Sequence, residues 1–208
     1  MLQPIINRST TAANGSEVSA YLEELSTTIQ QLPVPSIDRL ASLFLSAYDK
    51  ERTIFLFGNG GSASLASHLS CDLGKGTAPA TGRRLRAVAL TDNVALITAW
   101  ANDTRYEGIF AEQLENLLQP GDVAFAISAS GNSPNVLAAL SFARRAGAAT
   151  AGITGFQGGK MKSLCDICVI VPSDNMQIIE DLHLSIAHAV FRVVQQQMQE
   201  KRSRAASV

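Results

Sequence analysis

The sequence predicts a single α/β domain built on a parallel sheet. Short apolar runs rich in β-branched residues recur along the chain, at 53–57, 85–90, 122–127, 149–154 and 166–171. Segments with helical patterning, about as long as a crossover connection requires, separate these runs. The runs are apolar throughout rather than alternating, which is typical of parallel strands that helices cover on both faces.

The composition excludes several classes of protein. The chain has 208 residues, 46% of them hydrophobic and 17% charged, as in a globular domain. Its 17 basic and 18 acidic residues give a net charge of −1, so we expect no nucleic-acid partner. No apolar run reaches membrane-spanning length, so we expect no membrane partner. With an odd set of three cysteines and no recognisable signal peptide, we expect reduced thiols and a cytoplasmic protein.

Helices are predicted on either side of the strand-bearing region. A Ser-, Thr- and Asn-rich stretch, 1–15, predicts a flexible arm. A one-sided apolar stripe predicts a helix over 16–32, which Pro33 and Pro35 end before a second helix begins at Ser36. The crossover helices are expected at 62–74, 93–118 with a break near Asn102 and Asp103, 133–146 and 159–165.

The C-terminal region predicts one long helix. It runs from about Met176 to Gln199 and leaves a disordered tail at 199–208. We therefore predict one domain over 16–198, with extra helices at its N-terminal end.

Two loops after predicted strands are rich in glycine and hydroxyl groups. They are Gly58–Ser62 and Ser128–Ser133, and ligands of parallel sheets bind beyond such strand ends. Backbone N–H groups and a helix dipole there suit a phosphate, although such loops also serve as plain connectors. Neither loop fits a Walker A motif or a dinucleotide fingerprint. The third loop, Thr154–Gly159, is expected to serve only as a turn.

Three ordered motifs resemble the sugar isomerase (SIS) domain family, and within it the phosphoheptose isomerase branch. They are GNGGS, ISASGNSPNVL and E-D-L-H-x4-H, and the resemblance covers roughly 16–198. It implies a three-layer, five-stranded parallel sheet of flavodoxin-like topology. It also implies a homotetramer with active sites at subunit interfaces.

The same resemblance implies which residues bind the phosphosugar. They are Asn59, Gly60, Gly61, Ser62, Asn102, Asp103, Ser128, Ser130 and Ser133. The chain departs from the family twice near these positions. Ala129 stands where a threonine is frequent, and Leu65 replaces an aspartate and cannot hydrogen-bond a sugar.

A divalent metal, with Zn²⁺ first and Mn²⁺ or Fe²⁺ as alternatives, is the cofactor that the resemblance implies. Its ligands would be His68, Asp72, Glu180 and His188, of which His68 and Asp72 share a helix face. Asp72 is one methylene shorter than the family's glutamate, and Glu180 replaces a neutral glutamine. The alternative is a buried hydrogen-bond network without metal.

The spacing of Glu180 and His188 raises a geometric difficulty. Eight residues span about 12 Å of regular helix, which is too far for one metal ion. Either Glu180 lies in a loop before the helix, or two chains share the site, as the tetramer of the resemblance implies. We therefore expect a neighbouring chain to supply the histidine. A lesser option is that Glu180 and His183 are the ligands of one helix.

The resemblance implies an aldose–ketose isomerase that acts through an enediol. Asp72 is the expected base, His188 its acid/base partner, and a metal would polarise the substrate oxygens. The expected reaction converts sedoheptulose 7-phosphate to D-glycero-D-manno-heptose 7-phosphate. The alternatives are an isomerase for another phosphosugar and a non-catalytic SIS tetramer that binds a phosphosugar or a protein partner.

Overall fold

The protein folds around a five-stranded parallel sheet in the computed structural model, which describes residues 11–79 and 83–206. The strands are β1 (Thr53–Gly58), β2 (Arg86–Ala89), β3 (Val123–Ile127), β4 (Ala149–Thr154) and β5 (Ile167–Ile170). Their order is β2-β1-β3-β4-β5, with every pair parallel. This confirms the predicted flavodoxin-like sheet, and each predicted apolar run coincides with one strand to within one residue at either end.

The two N-terminal helices and the C-terminal helix form one layer with α3. They are α1 (Thr11–Gln30), α2 (Val34–Asp49), α3 (Gly61–Cys71) and α8 (Met176–Ala206). Residues 1–10 of the predicted arm and residues 207–208 of the predicted tail lie outside the described residues. The sequence predicted the last helix to end near Gln199, whereas α8 continues to Ala206.

The remaining helices cover the opposite face of the sheet. They are α4 (Val94–Asp103), α5 (Ala111–Leu117), α6 (Pro134–Arg145) and α7 (Met161–Leu164), with a 3₁₀ turn at Tyr106–Gly108. The break predicted near Asp103 is therefore present, since α4 ends there. Within the described ranges, no helix combines the length and apolar character needed to span a bilayer.

Alternation along β1 divides the core into two layers. Ile54 and Leu56 pack with α2, α3 and α8, whereas Phe55 and Phe57 pack with α5 and α6. All four side chains are at most 3% exposed, and burying each contributes about 2 kcal/mol. A strand that is apolar at every position is thus explained by helices on both faces, as the sequence predicted.

The strand order places the two hydroxyl-rich loops side by side. The chain leaves β1 towards β2 on one side, and returns to form β3 on the other side of β1. Ligands of doubly wound sheets bind at this switch point, beyond the carboxyl ends of the strands. The loops that follow β1 and β3 therefore border one crevice.

Candidate functional site

The loops Gly58–Ser62 and Ser128–Ser133 are called the serine loops below. The second of them, after β3, is held by the loop that follows β4 and by the start of α7. Gly155 and Met161 donate backbone hydrogen bonds to the carbonyls of Ala129 and Gly131, both at 2.9 Å. Gly131 has φ +62°, and a Cβ there would lie 2.3 Å from a carbonyl oxygen of Gly158. Only glycine fits at this point. The third loop, expected to serve as a turn, therefore also braces the second serine loop.

Side-chain amides tie the loop Gly58–Ser62 to α6, the helix that follows the loop Ser128–Ser133. Asn59 and Asn135 exchange hydrogen bonds of 2.9 and 2.8 Å, and the hydroxyl of Tyr106 donates to Asn59 at 3.1 Å. Asn135 is 1% exposed, so this pair is part of the core beneath the loops. Sequence reasoning missed Asn135 and Tyr106, because only the packed fold brings them to Asn59.

The two loops enclose a cavity of about 160 Å³ that brings the predicted phosphate-binding hydroxyls together. Ser62, Ser128, Ser130 and Ser133 all line it, together with Asn59. The hydroxyls of Ser128 and Ser133 lie 3.3 Å apart, and Ser130 Oγ accepts a hydrogen bond from the backbone of Asn132. Such converging hydroxyls at a helix start can donate to an anion.

Asn102 and Asp103 are placed differently. Both are exposed at the end of α4, where the Asn102 amide donates to the Asp103 carboxylate at 2.8 Å. In the described part of the chain, neither side chain lines the cavity of the serine loops. Their predicted contact with the substrate stays a prediction.

A second cluster joins three of the four predicted metal ligands. His68 lies on α3, Asp72 opens a π-helical turn (Asp72–Gly76) directly after α3, and His188 lies on α8. Each offers a ligand atom, and these atoms all lie within 4.8 Å of one another. One chain thus brings His188 to His68 and Asp72, so a histidine from a neighbouring chain is not needed there.

The separations in this cluster suit a small divalent cation. The Nε2 atoms of His68 and His188 are 3.0 Å apart, and Asp72 Oδ2 is 3.4 and 3.8 Å from them. Donors on a tetrahedral zinc ion with bonds of about 2.0 Å lie roughly 3.3 Å apart. Imidazole and carboxylate are also the donor types that such an ion takes. The three residues therefore fit the predicted metal.

Glu180 lies apart from this cluster. It belongs to α8, which excludes the loop position considered from sequence, and its carboxylate is 3.4 Å from where a Cβ of Gly61 would be. This places Glu180 over the start of α3. Glu180 and Ser62 line both the serine-loop cavity and a second cavity of about 450 Å³ that also contacts His68 and His188. The two cavities therefore adjoin.

His183 is buried beside the larger cavity rather than placed in the cluster. It is 1% exposed, and its Nε2 has no hydrogen-bond partner among the described residues. Burial lowers its pKa to about 4, against a smaller opposing effect of a hydrogen bond with the backbone of Thr154. His183 is thus a neutral imidazole. The geometry does not favour Glu180 and His183 as the ligand pair.

Two further side chains shape the larger cavity. Leu65, which replaces the family's aspartate, is 8% exposed and lines it. Asp181 also lines it and accepts a hydrogen bond of 2.5 Å from Tyr21, which raises the pKa of Tyr21 to about 12. This bond fastens α1 to α8 beside the site.

Comparisons with known proteins agree with this geometry. The sequence model of the SIS domain matches residues 16–155. A phosphoheptose isomerase of Paramagnetospirillum magneticum is 41% identical over 174 residues, covering 84% of this chain and 90% of that protein. One from Pelobacter propionicus is 38% identical over 161 residues, 77% of this chain and 85% of the relative.

A solved structure shows the same fold at similar length. Phosphoheptose isomerase GmhA from Neisseria gonorrhoeae superposes with a TM-score of 0.82 at 29% identity, over 88% of this chain and 98% of that one. The family match, the curated relatives and this structure all agree. The chain belongs to the SIS domain family, within its phosphoheptose isomerase branch.

Proposed function

We propose that the protein isomerises sedoheptulose 7-phosphate to D-glycero-D-manno-heptose 7-phosphate. The observation that carries this proposal is the pair of adjoining cavities, one lined by the serine loops and one by His68 and His188. A phosphosugar has a charged end and a reacting end, and the two cavities suit one each. The similar proteins of P. magneticum and P. propionicus are phosphoheptose isomerases, which supports this choice of sugar.

The serine loops hold the phosphate end. Hydroxyls of Ser62, Ser128, Ser130 and Ser133 border one small cavity and can each donate to a phosphate oxygen. Binding energy gained there, away from the reacting carbons, positions those carbons at the acid/base groups. Because the loops are braced, little order has to be imposed when the phosphate binds.

Asp72 and His188 move the protons at the sugar's carbonyl end. The Asp72 carboxylate removes a proton from C1 of the ketose and returns it to C2 of the enediol. His188, whose Nε2 lies 3.8 Å from Asp72 Oδ2, moves a proton between the two oxygens through a ring nitrogen that the cation leaves free. Asp72 is partly shielded by the two imidazoles and remains accessible, with 25% of its side chain exposed.

A divalent cation is part of this proposal, with Zn²⁺ favoured and Mn²⁺ or Fe²⁺ as the alternatives. His68, Asp72 and His188 would hold it, and when bound it would supply polarisation of the substrate's C1 and C2 oxygens. Within one chain, Glu180 lies over the start of α3 and away from the cluster. Glu180 would therefore be a ligand only if a second chain supplied it.

The proposed assembly is a cytoplasmic homotetramer with active sites at subunit interfaces. Apolar side chains that are about half exposed or more lie on α1, namely Val18, Leu22 and Ile29, and Leu184 is exposed on α8 beside the larger cavity. Such a surface is suited to contact with another copy of the chain.

Incubation with sedoheptulose 7-phosphate in D₂O tests the proposal. The metal content of the purified protein is measured first, and the reaction is then followed by NMR of the sugars. We expect deuterium at C1 of the recovered ketose and the appearance of the aldose. Exchange without aldose would indicate another phosphosugar as substrate. Neither exchange nor aldose would contradict the proposal and favour a non-catalytic module that binds a phosphosugar or a protein.

A further inference from the structure

We propose that Gln195 is a positioning residue for the His68–Asp72–His188 cluster. Its side-chain amide holds the π-helical turn against α8, and so fixes how far Asp72 lies from His188. The cation affinity of the cluster then depends on Gln195, although Gln195 is not one of its ligands. The inference rests on the metal site of the proposed function, and it adds a residue that the family motifs do not contain.

The π-helical turn needs support from its surroundings. Asp72 caps α3, where its N–H donates to the carbonyls of His68 and Leu69, and it is also the first residue of the turn, so its carboxylate stands where α3 and the turn meet. A π-helix is rare, occurs mostly as a single wide turn, and is frequently found at functional sites. Within the turn, Leu73 is fully buried and its carbonyl accepts a hydrogen bond of 2.5 Å from Thr77 Oγ1.

The remaining support comes from α8. Gln195 Nε2 donates to the carbonyl of Gly76 at 2.8 Å, and Arg192 Nη1 donates to Gln195 Oε1 at 3.4 Å. Arg192 thereby orients the amide so that its NH₂ group faces the turn. A Cβ at Gly76 would lie 2.6 Å from Cζ of Phe191, so the absence of a side chain at Gly76 lets the Phe191 ring of α8 pack directly against the turn.

The residues that hold the turn share a helix face with the histidine. His188, Phe191 and Gln195 stand at positions i, i+3 and i+7 of α8, which places them along one stripe. The stripe that carries His188 therefore also contacts the last residue of the turn that Asp72 begins. The separation of 3.8 Å between His188 Nε2 and Asp72 Oδ2 depends on this contact.

The expected consequence is a weaker cation site when the amide is removed. Groups that orient metal ligands without touching the metal change its affinity by about 10- to 100-fold. Gln195 acts on one ligand through a backbone carbonyl, so we expect the lower end of this range.

The test compares Gln195 with a residue two positions further along α8. Gln195→Leu removes the donor, and Gln195→Glu replaces it with a second acceptor facing the Gly76 carbonyl. Gln197→Leu and Gln197→Glu make the same changes at an exposed site. Zn²⁺ and Co²⁺ affinities of metal-stripped protein are measured by calorimetry, and Co²⁺ absorption reports ligand geometry. Thermal unfolding and circular dichroism identify any variant that does not fold.

We expect the dissociation constant to rise about tenfold in folded Gln195 variants and to change less than twofold in the Gln197 variants. Equal affinities at the two positions would overturn the inference, and so would a wild-type protein that binds neither cation. Failure of both Gln195 variants to fold would also overturn it, because the residue would then be structural. Since cation affinity is measured without turnover, an absence of isomerase activity would count against the proposed function alone.

Discussion

The serine-loop cavity and the His68–Asp72–His188 cluster are built in contrasting ways. The cavity lies at strand ends, and Ser62 and Ser128 in its walls are 8% and 4% exposed. The cluster lies on helices, and the side chains of His68 and His188 remain 51% and 48% exposed. A phosphate keeps its charge during isomerisation and can be held by fixed neutral donors. Proton transfer requires titratable groups with access to the substrate, which the helices provide.

Asp72→Asn should have the largest effect of these substitutions, because it removes the proposed base and leaves the serine loops intact. We expect kcat to fall by about 10³-fold or more, since general-base catalysis contributes about 10²- to 10⁴-fold. The affinity for sedoheptulose 7-phosphate should change by less than about threefold, because the phosphate contacts remain. Steady-state kinetics and calorimetry measure the two quantities. Undiminished turnover would refute the assignment of Asp72 as the base.

The buried His183 of α8 should make the folded protein less stable in acid. Its pKa is about 4 in the folded protein and 6.5 as a free imidazole, so the unfolded chain binds the proton first as the pH falls. The free energy of unfolding should keep its full value above pH 6.5. It should fall by about 3 kcal/mol as the pH is lowered to 4, at 1.36 kcal/mol per pKa unit.

Urea unfolding at several pH values measures this effect. His183→Leu should flatten the dependence of the unfolding free energy on pH between 4 and 6.5. An equally steep decrease in the variant would show that other groups cause the acid sensitivity.

Removing hydroxyls from the serine-loop cavity should have the opposite kinetic signature to Asp72→Asn. Ser128→Ala combined with Ser130→Ala removes two donors to an anion, each contributing about 1 kcal/mol or somewhat more. We expect KM to rise about 30-fold or somewhat more and kcat to change by less than about threefold. Ser163→Ala, at an exposed position on α7, is the matched control. A fall in kcat that exceeds the rise in KM would contradict the assignment of this loop to binding.

Glu180 links the two regions, and its effect should be the smallest. Its carboxylate lines the cavity of the serine loops and should repel a phosphate bound there. In metal-stripped protein we expect Glu180→Gln to tighten phosphosugar binding by about threefold, with the gain reduced at high salt. Glu115→Gln, an exposed change of the same charge, should have no effect. Weaker binding in Glu180→Gln would indicate instead that the carboxylate accepts a hydrogen bond from the sugar.

Features encoded by short stretches of sequence could be predicted, and features that depend on packing between distant segments could not. Each strand followed from one apolar run, and the pairing of His68 with Asp72 followed from their spacing on one helix. The contact between α3 and α8 joins residues 120 positions apart, so the sequence did not show that His188, rather than Glu180, reaches Asp72. Likewise, the π-helical turn depends on Phe191 and Gln195, which lie in a different element.

The central claim is that the two regions act on opposite ends of one substrate. Deuterium exchange at C1 in D₂O can be compared for sedoheptulose 7-phosphate and for sedoheptulose, in the wild-type protein and in the Ser128→Ala, Ser130→Ala variant. The account predicts that the double substitution slows exchange of the phosphorylated sugar at low concentration by about 10-fold or more and leaves the slow exchange of sedoheptulose unchanged. An equal loss with both sugars would contradict it, because the serine loops would then act on the chemistry itself.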